Sequence, residues 1–187
     1  MSTAMLKRLP HLACGLMLLL LSGCATHTVT PGSKSSGDLP PLIVERLGWM
    51  DEVARVKQAR SLPVTDPKRE AELLAAMEKQ AASHELPPEA VRSFFDGQME
   101  AAKVFQNEWL ATHPRGDASA HPLPDLAKDV RPALDDLGQK MLAALSITRR
   151  DHEPDQVLAA ARAALIQAGY SHAVTQAALA GLKAGLR

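Results

Sequence analysis

The chain has 187 residues, with 21 Lys and Arg against 21 Asp and Glu, and is 46% hydrophobic but only 3% aromatic. That length suits one domain with a real buried core. Balanced charge and scarce rings exclude the basic, base-stacking surface of a nucleic-acid binder, so no nucleic-acid partner is expected.

At the N-terminus, Lys7 and Arg8 precede an apolar run from Leu12 to Leu21, interrupted only by Cys14 and Gly15. Cations followed by a run too short to cross a bilayer make a secretory signal. It closes on Leu21-Ser22-Gly23-Cys24, which resembles the bacterial lipobox, whose cysteine is diacylated and becomes the mature N-terminus. Cys24 is then a lipid attachment site, and Ala25 behind it resembles the signal for the outer membrane. Ordinary cleavage near Ala25, giving a soluble periplasmic protein, is the alternative. Either way residues 1–23 are expected to be removed and the protein exported. Losing Lys7 and Arg8 leaves the acidic residues ahead by two, and no cysteine follows Cys24. An intramolecular disulfide is therefore excluded, and the mature chain must hold together by packing.

Residues 24–37 are polar and punctuated by Pro and Gly, as in a flexible tether, which leaves 38–187 as the folded domain. From Leu39 to Arg60 apolar residues recur at three and four, predicting a long amphipathic helix that stops before Pro63. Asp66-Pro67 supplies an N-cap followed by proline at the first helical position, and Glu70 lies within reach of first-turn amides. A second helix is predicted from Pro67 to about His84. After the break at Pro87-Pro88, a third from Pro88 to about Thr112 carries Phe94, Phe95, Met99 and Phe105. Residues 113–124, rich in proline, read as a loop. A fourth helix is predicted from near Asp125 to about Thr148, and alanine-rich stretches at 154–168 and 171–184 predict two shorter ones around Gly169. No stretch alternates as strands do. The expected fold is all-α, a single-domain bundle of about six helices.

Arg46 and Lys57 lie eleven residues apart on the first helix. That spacing is about three turns, so both leave nearly the same face with Cα atoms about 16 Å apart, and their long side chains can converge on a ligand of ring size. Asp66, Arg69 and Glu70 occupy the cap and first turn of the second helix. Gln106 stands one turn beyond Ala102 on the third, and Arg131 opens the fourth just before Pro132. These positions sit in a wider pattern: Glu45-Arg46-Leu47, Val56-Lys57, Leu62-Pro63-Val64-Thr65-Asp66, Arg69-Glu70, Phe94-Phe95, Gln98 and Ala101-Ala102-Lys103-Val104-Phe105-Gln106. In order and spacing these blocks closely resemble the all-helical chorismate mutases. The signal peptide, the tether and the extra helices after residue 125 resemble their exported subclass. The resemblance is dense over 42–112, moderate over 125–146 and faint beyond 150.

The resemblance implies an isomerase that converts chorismate to prephenate. This is an intramolecular pericyclic rearrangement, which calls for no metal, redox cofactor or nucleophile. Catalysis then reduces to holding the compact conformer and stabilising charge on the breaking ether. By position, Arg46 resembles the arginine that binds one substrate carboxylate, and Arg131 the one that binds the other from the same chain. Guanidinium matches carboxylate bidentately. Lys57 resembles the lysine that reaches a carboxylate and the ether oxygen, and Gln106 the residue that donates to that oxygen from the opposite side. Asp66 and Glu70 resemble the residues near the ring hydroxyl, and Arg69 a partly structural arginine. A homodimer is also implied.

Three departures matter. Ala102 stands where many members have Ser or Thr, Leu73 where some exported members have Gln, and Gln106 where some have Glu. The first removes a hydroxyl contact, and the second leaves the ring hydroxyl to Glu70 or Asp66. With an amide at 106, donation to the ether needs no protonation, so turnover is expected to vary little from mildly acidic to neutral pH.

Taken singly, each residue has a plainer reading. Arg46 and Lys57 could edge a solvated face, Asp66 could simply cap, and Arg69 and Glu70 could be ordinary first-turn residues. Their joint spacing carries the argument. The seven histidines show no i, i+4 pair or ligand-like cluster, so no metal site is expected. The competing expectation is a non-catalytic helical envelope lipoprotein that binds a partner or a small aromatic acid, favoured only by Ala102.

Overall fold

The computed structural model describes residues 38–114 and 122–187. The expected signal peptide, Cys24 and the tether lie outside the described residues, as does the middle of the 113–124 loop. Seven α-helices occur among the described residues: α1 (Leu39–Gly48), α2 (Met50–Ala59), α3 (Pro67–Gln80), α4 (Pro88–Thr112), α5 (Arg131–Asp151), α6 (Pro154–Gln167) and α7 (His172–Gly185). The fold is all-α, as expected. Because α1 and α2 divide one predicted helix at Trp49, the bundle corresponds to the six helices anticipated. Trp49 keeps right-handed helical dihedrals (φ −71°, ψ −15°), and Val53 N–H donates to Trp49 O at 3.1 Å across the junction. Gly48, a poor helix former, precedes the interruption.

The termini follow from local chemistry. Asp66 caps α3 by accepting from Arg69 N–H (3.1 Å), while Glu70 Oε1 reaches back to Asp66 N–H (3.1 Å), a reciprocal arrangement that satisfies two otherwise unpaired donors. The end of α2 is a Schellman turn: Leu62 N–H donates to Lys57 O, Ser61 N–H donates to Gln58 O, and Ser61 is left-handed at φ 52°. A serine there costs about 1 kcal/mol more than glycine would. The turn carries Leu62–Asp66 back beside the end of α2. Ahead of α5, Leu126–Val130 forms a single π-helical turn, capped by Asp125 through Ala127 N–H (2.8 Å) and Lys128 N–H (3.1 Å). Pro132 explains the widening, since its nitrogen has no hydrogen and its ring would crowd the carbonyl of Lys128.

The core gathers on α4, which touches α2 and α3 as well as α7. Phe94 and Phe95 are buried and meet edge to face with ring centroids 5.0 Å apart. Burying each such ring is worth roughly 1.5–3 kcal/mol. α7 lies backbone to backbone on α4, because a Cβ at Gly97 would stand only 2.2 Å from Gly181 Cα. Glycine is needed at that crossing for close approach. The same turn of α4 places Gln98, fully buried, with Nε2 donating to Ala178 O on α7 at 3.2 Å. α1 packs on α5 and α6, completing the frame. No described helix is long and apolar enough to cross a membrane.

Candidate active site

A cavity opens between α1, α2, the first turn of α3, α4, the π turn and the start of α5. The seven polar residues singled out in the domain, Arg46, Lys57, Asp66, Arg69, Glu70, Gln106 and Arg131, all line it. Met50, Val53, Leu73, Met99 and Leu134 supply apolar wall between them.

Arg46 is only 5% exposed, and its sole hydrogen bond among the described residues runs from Nη1 to Gln98 O at 3.1 Å. No described carboxylate pairs with it. Burial without a counter-ion pushes its pKa down to about 10, because a charge removed from water is costly. Lys57 is half-buried, and its Nζ donates to Val64 O at 2.6 Å across the Schellman turn. Its pKa lies below the usual lysine value, chiefly through burial; the charges of Asp66 and Glu70 raise it, and that of Arg131 lowers it further. Arg131 itself is exposed at the mouth; its backbone N–H closes the π turn on Leu126 O, and among the described residues its guanidinium makes no hydrogen bond or ion pair.

On the other wall the charges are paired. Arg69 Nη2 meets Asp135 Oδ1 at 2.6 Å, tying the first turn of α3 to α5. Glu70 holds the Asp66 amide with one oxygen and faces Lys103 Nζ at 3.5 Å with the other. Gln106 is buried; its Nε2 donates to Ala102 O at 3.1 Å and touches Met50 Sδ at 3.6 Å, while its Oε1 has no partner. The donation to Ala102 O directs the other Nε2 hydrogen away from the helix.

Three contributors escaped the sequence reading. The carbonyls of Gln98 and Val64, which hold Arg46 and Lys57, are main-chain atoms with no compositional signal. Lys103, a further lining cation, did have one: Met99, Ala102, Lys103 and Gln106 follow the i, i+3, i+4, i+7 stripe of one helix face. Leu73 and Ala102 line the cavity as the two departures foresaw.

Among the described residues the lining carries five cations against two carboxylates and no hydroxyl, thiol or imidazole side chain, a positive surround complementary to a small anion. The sequence pattern described as chorismate mutase type II matches residues 38–107. The crystal structure of chorismate mutase from Burkholderia thailandensis superposes with a TM-score of 0.66 at 34% identity, over 80% of this chain and 98% of that one. That from Burkholderia phymatum gives 0.68 at 30% identity, over 78% and 94%. The secreted chorismate mutase of Mycobacterium tuberculosis is 30% identical over 114 residues, 61% of this chain and 57% of that protein, so the match spans less than two thirds of its length. The chain belongs to the all-helical chorismate mutase family.

Proposed function

We propose that this protein is an isomerase that rearranges chorismate to prephenate, and that it works outside the cytoplasm. The observation that carries the reading is Arg46, a buried guanidinium that among the described residues has one carbonyl contact and no counter-ion, and that lines a cavity with Lys57, Arg69, Lys103 and Arg131. A buried, unpaired cation costs several kcal/mol, which a bound carboxylate offsets. Arg131, at the mouth, takes the second carboxylate. Two fixed carboxylates bring the enolpyruvyl side chain over the ring, so the entropy of reaching the compact conformer is met by binding.

In the rearrangement the ether C–O bond breaks as a C–C bond forms, and negative charge grows on the ether oxygen. Lys57, already oriented by Val64 O, and Gln106 Nε2, exchanging its weak Met50 contact for that oxygen, stabilise the charge from two sides. Removing one such donor costs about 10²–10³ in rate in comparable sites. No proton is transferred. Asp66 and Glu70 take the ring hydroxyl. All these groups come from one chain, so the homodimer implied by the family need not complete the site.

Export follows from the leader at residues 1–23, with Cys24 as the lipid attachment point, and agrees with the naming of a relative as secreted. Adding the purified protein to chorismate and following loss of its ultraviolet absorbance tests the activity. Saturable turnover to prephenate is expected; binding without turnover would establish the non-catalytic reading instead. Radiolabelled fatty acid incorporated in wild type but not in Cys24→Ala is the expected sign of the anchor.

A further inference from the structure

The carboxylate of Glu70 is held at both oxygens. Oε1 accepts from the Asp66 amide at 3.1 Å, and Oε2 faces Lys103 Nζ at 3.5 Å. The first contact belongs to α3 alone, whereas the second crosses to α4. Lys103 and Glu70 are 26% and 24% exposed in their side chains, so the pair is partly buried, and both line the cavity. Lys103 also meets Glu100 Oε2 at 3.1 Å, one turn back on its own helix, where Glu100 is largely exposed. The ammonium is therefore a bridge, anchored to its own helix and reaching across to the acidic corner.

A carboxylate tied only by its capping bond could pivot about that bond and turn its free oxygen toward water. The cation across the gap removes that freedom. At 3.5 Å the contact is an ion pair rather than a strong hydrogen bond, so it aims Glu70 without saturating its lone pairs. We propose that Lys103 is a positioning residue, holding the Glu70 carboxylate in place as the acceptor for the ring hydroxyl of the substrate. The inference rests on the activity proposed above. Ionisation of Lys103 is favoured, chiefly by its bond to Glu100 and further by the charge of Glu70.

A double-mutant cycle on the full chain separates positioning from a general attraction of a polyanion. Lys103→Ala is expected to lower kcat/KM for chorismate about tenfold, the scale of one partly exposed charge-assisted contact. In a Glu70→Gln background the same change is expected to cost less than about twofold, because the group being aimed has lost its charge. Lys103→Arg, long enough to keep the bridge, is expected to recover most of the rate, and Glu100→Gln to leave it within about twofold. Lys103→Met, which keeps the aliphatic stem, controls for packing and should match Lys103→Ala in rate. Equal losses in both backgrounds, falling together as salt rises, would show that Lys103 acts only through the field of the pocket and would overturn the proposal. So would a melting temperature for Lys103→Met low enough to account for its lost rate. If the unsubstituted chain does not turn over chorismate, the activity reading fails, and this inference with it; additivity in an active enzyme removes Lys103 alone.

Discussion

The two walls of the cavity handle charge in opposite ways. On the α1–α2 wall, Arg46 and Lys57 are withdrawn from water and held only by main-chain carbonyls, and burial depresses the pKa of both. On the α3 wall, Arg69 and Glu70 already have partners, Asp135 on α5 and Lys103 on α4. The difference separates stored electrostatic potential from orientation. On the proposed function, a carboxylate arriving at Arg46 would relieve the burial penalty that this guanidinium carries in the fold. One arriving near Arg69 must compete with Asp135, so that wall contributes mainly shape and direction.

The contrast is sharpest at Arg46. Arg46→Met is expected to lower kcat/KM by about 10³ or more, since charge-assisted carboxylate binding in a desolvated site is lost. Because the removed charge was buried and unpaired, the melting temperature should not fall; a large drop would show that Arg46 supports the fold rather than waiting for substrate. Lys57→Ala is expected to reduce kcat by about 10²–10³ through loss of the donor at the ether oxygen. A folded Lys57→Ala protein with near-normal turnover would break the proposed mechanism.

Next comes pH. A cation whose pKa is lowered in the fold loses its proton earlier as pH rises, so kcat/KM should begin to fall below the ordinary lysine range of about 10.4. Bound carboxylates favour the charged forms, which moves the alkaline limb of kcat to higher pH. Between about pH 5 and 7 both profiles should be flat, because the amide of Gln106 does not titrate; a steep decline there would remove Gln106 from its place at the ether.

Smaller effects belong to the open side. Arg131→Ala, at the solvent-facing mouth, is expected to cost about 10–100-fold in kcat/KM, and more at low salt than at high. Asp135→Ala frees Arg69 from an exposed pair and should alter stability by no more than about 1 kcal/mol and kcat/KM by less than about threefold. A larger loss would mean that the Arg69–Asp135 pair fixes the mouth of the pocket.

The sequence anticipated the helices well where punctuation is local. Asp66-Pro67, Pro87-Pro88 and Gly169 mark real boundaries because capping, missing amide hydrogens and positive φ are properties of a few neighbouring residues. The interruption at Trp49 was not visible, since the apolar period runs straight through it and the tryptophan itself stays helical. The π turn before α5 was likewise hidden, although Pro132 was its cause. In the site, the spacing of Arg46 and Lys57, the cap at Asp66 and the position of Gln106 on one helix face with Ala102 could all be read from periodicity, and the family resemblance joined them.

What periodicity could not convey is which of those polar groups would be buried, and against what. Arg46 loses its water because α4 crosses over it and offers the Gln98 carbonyl, and α4 is itself backed by α7 through the Gly97–Gly181 contact. Arg131 has the same charge and keeps its water. Residue type and spacing set which side chains share a face, because the helix repeat is a local property. Desolvation and pairing, which distinguish Arg46 from Arg131, depend on segments distant in the chain and arise only when those segments pack.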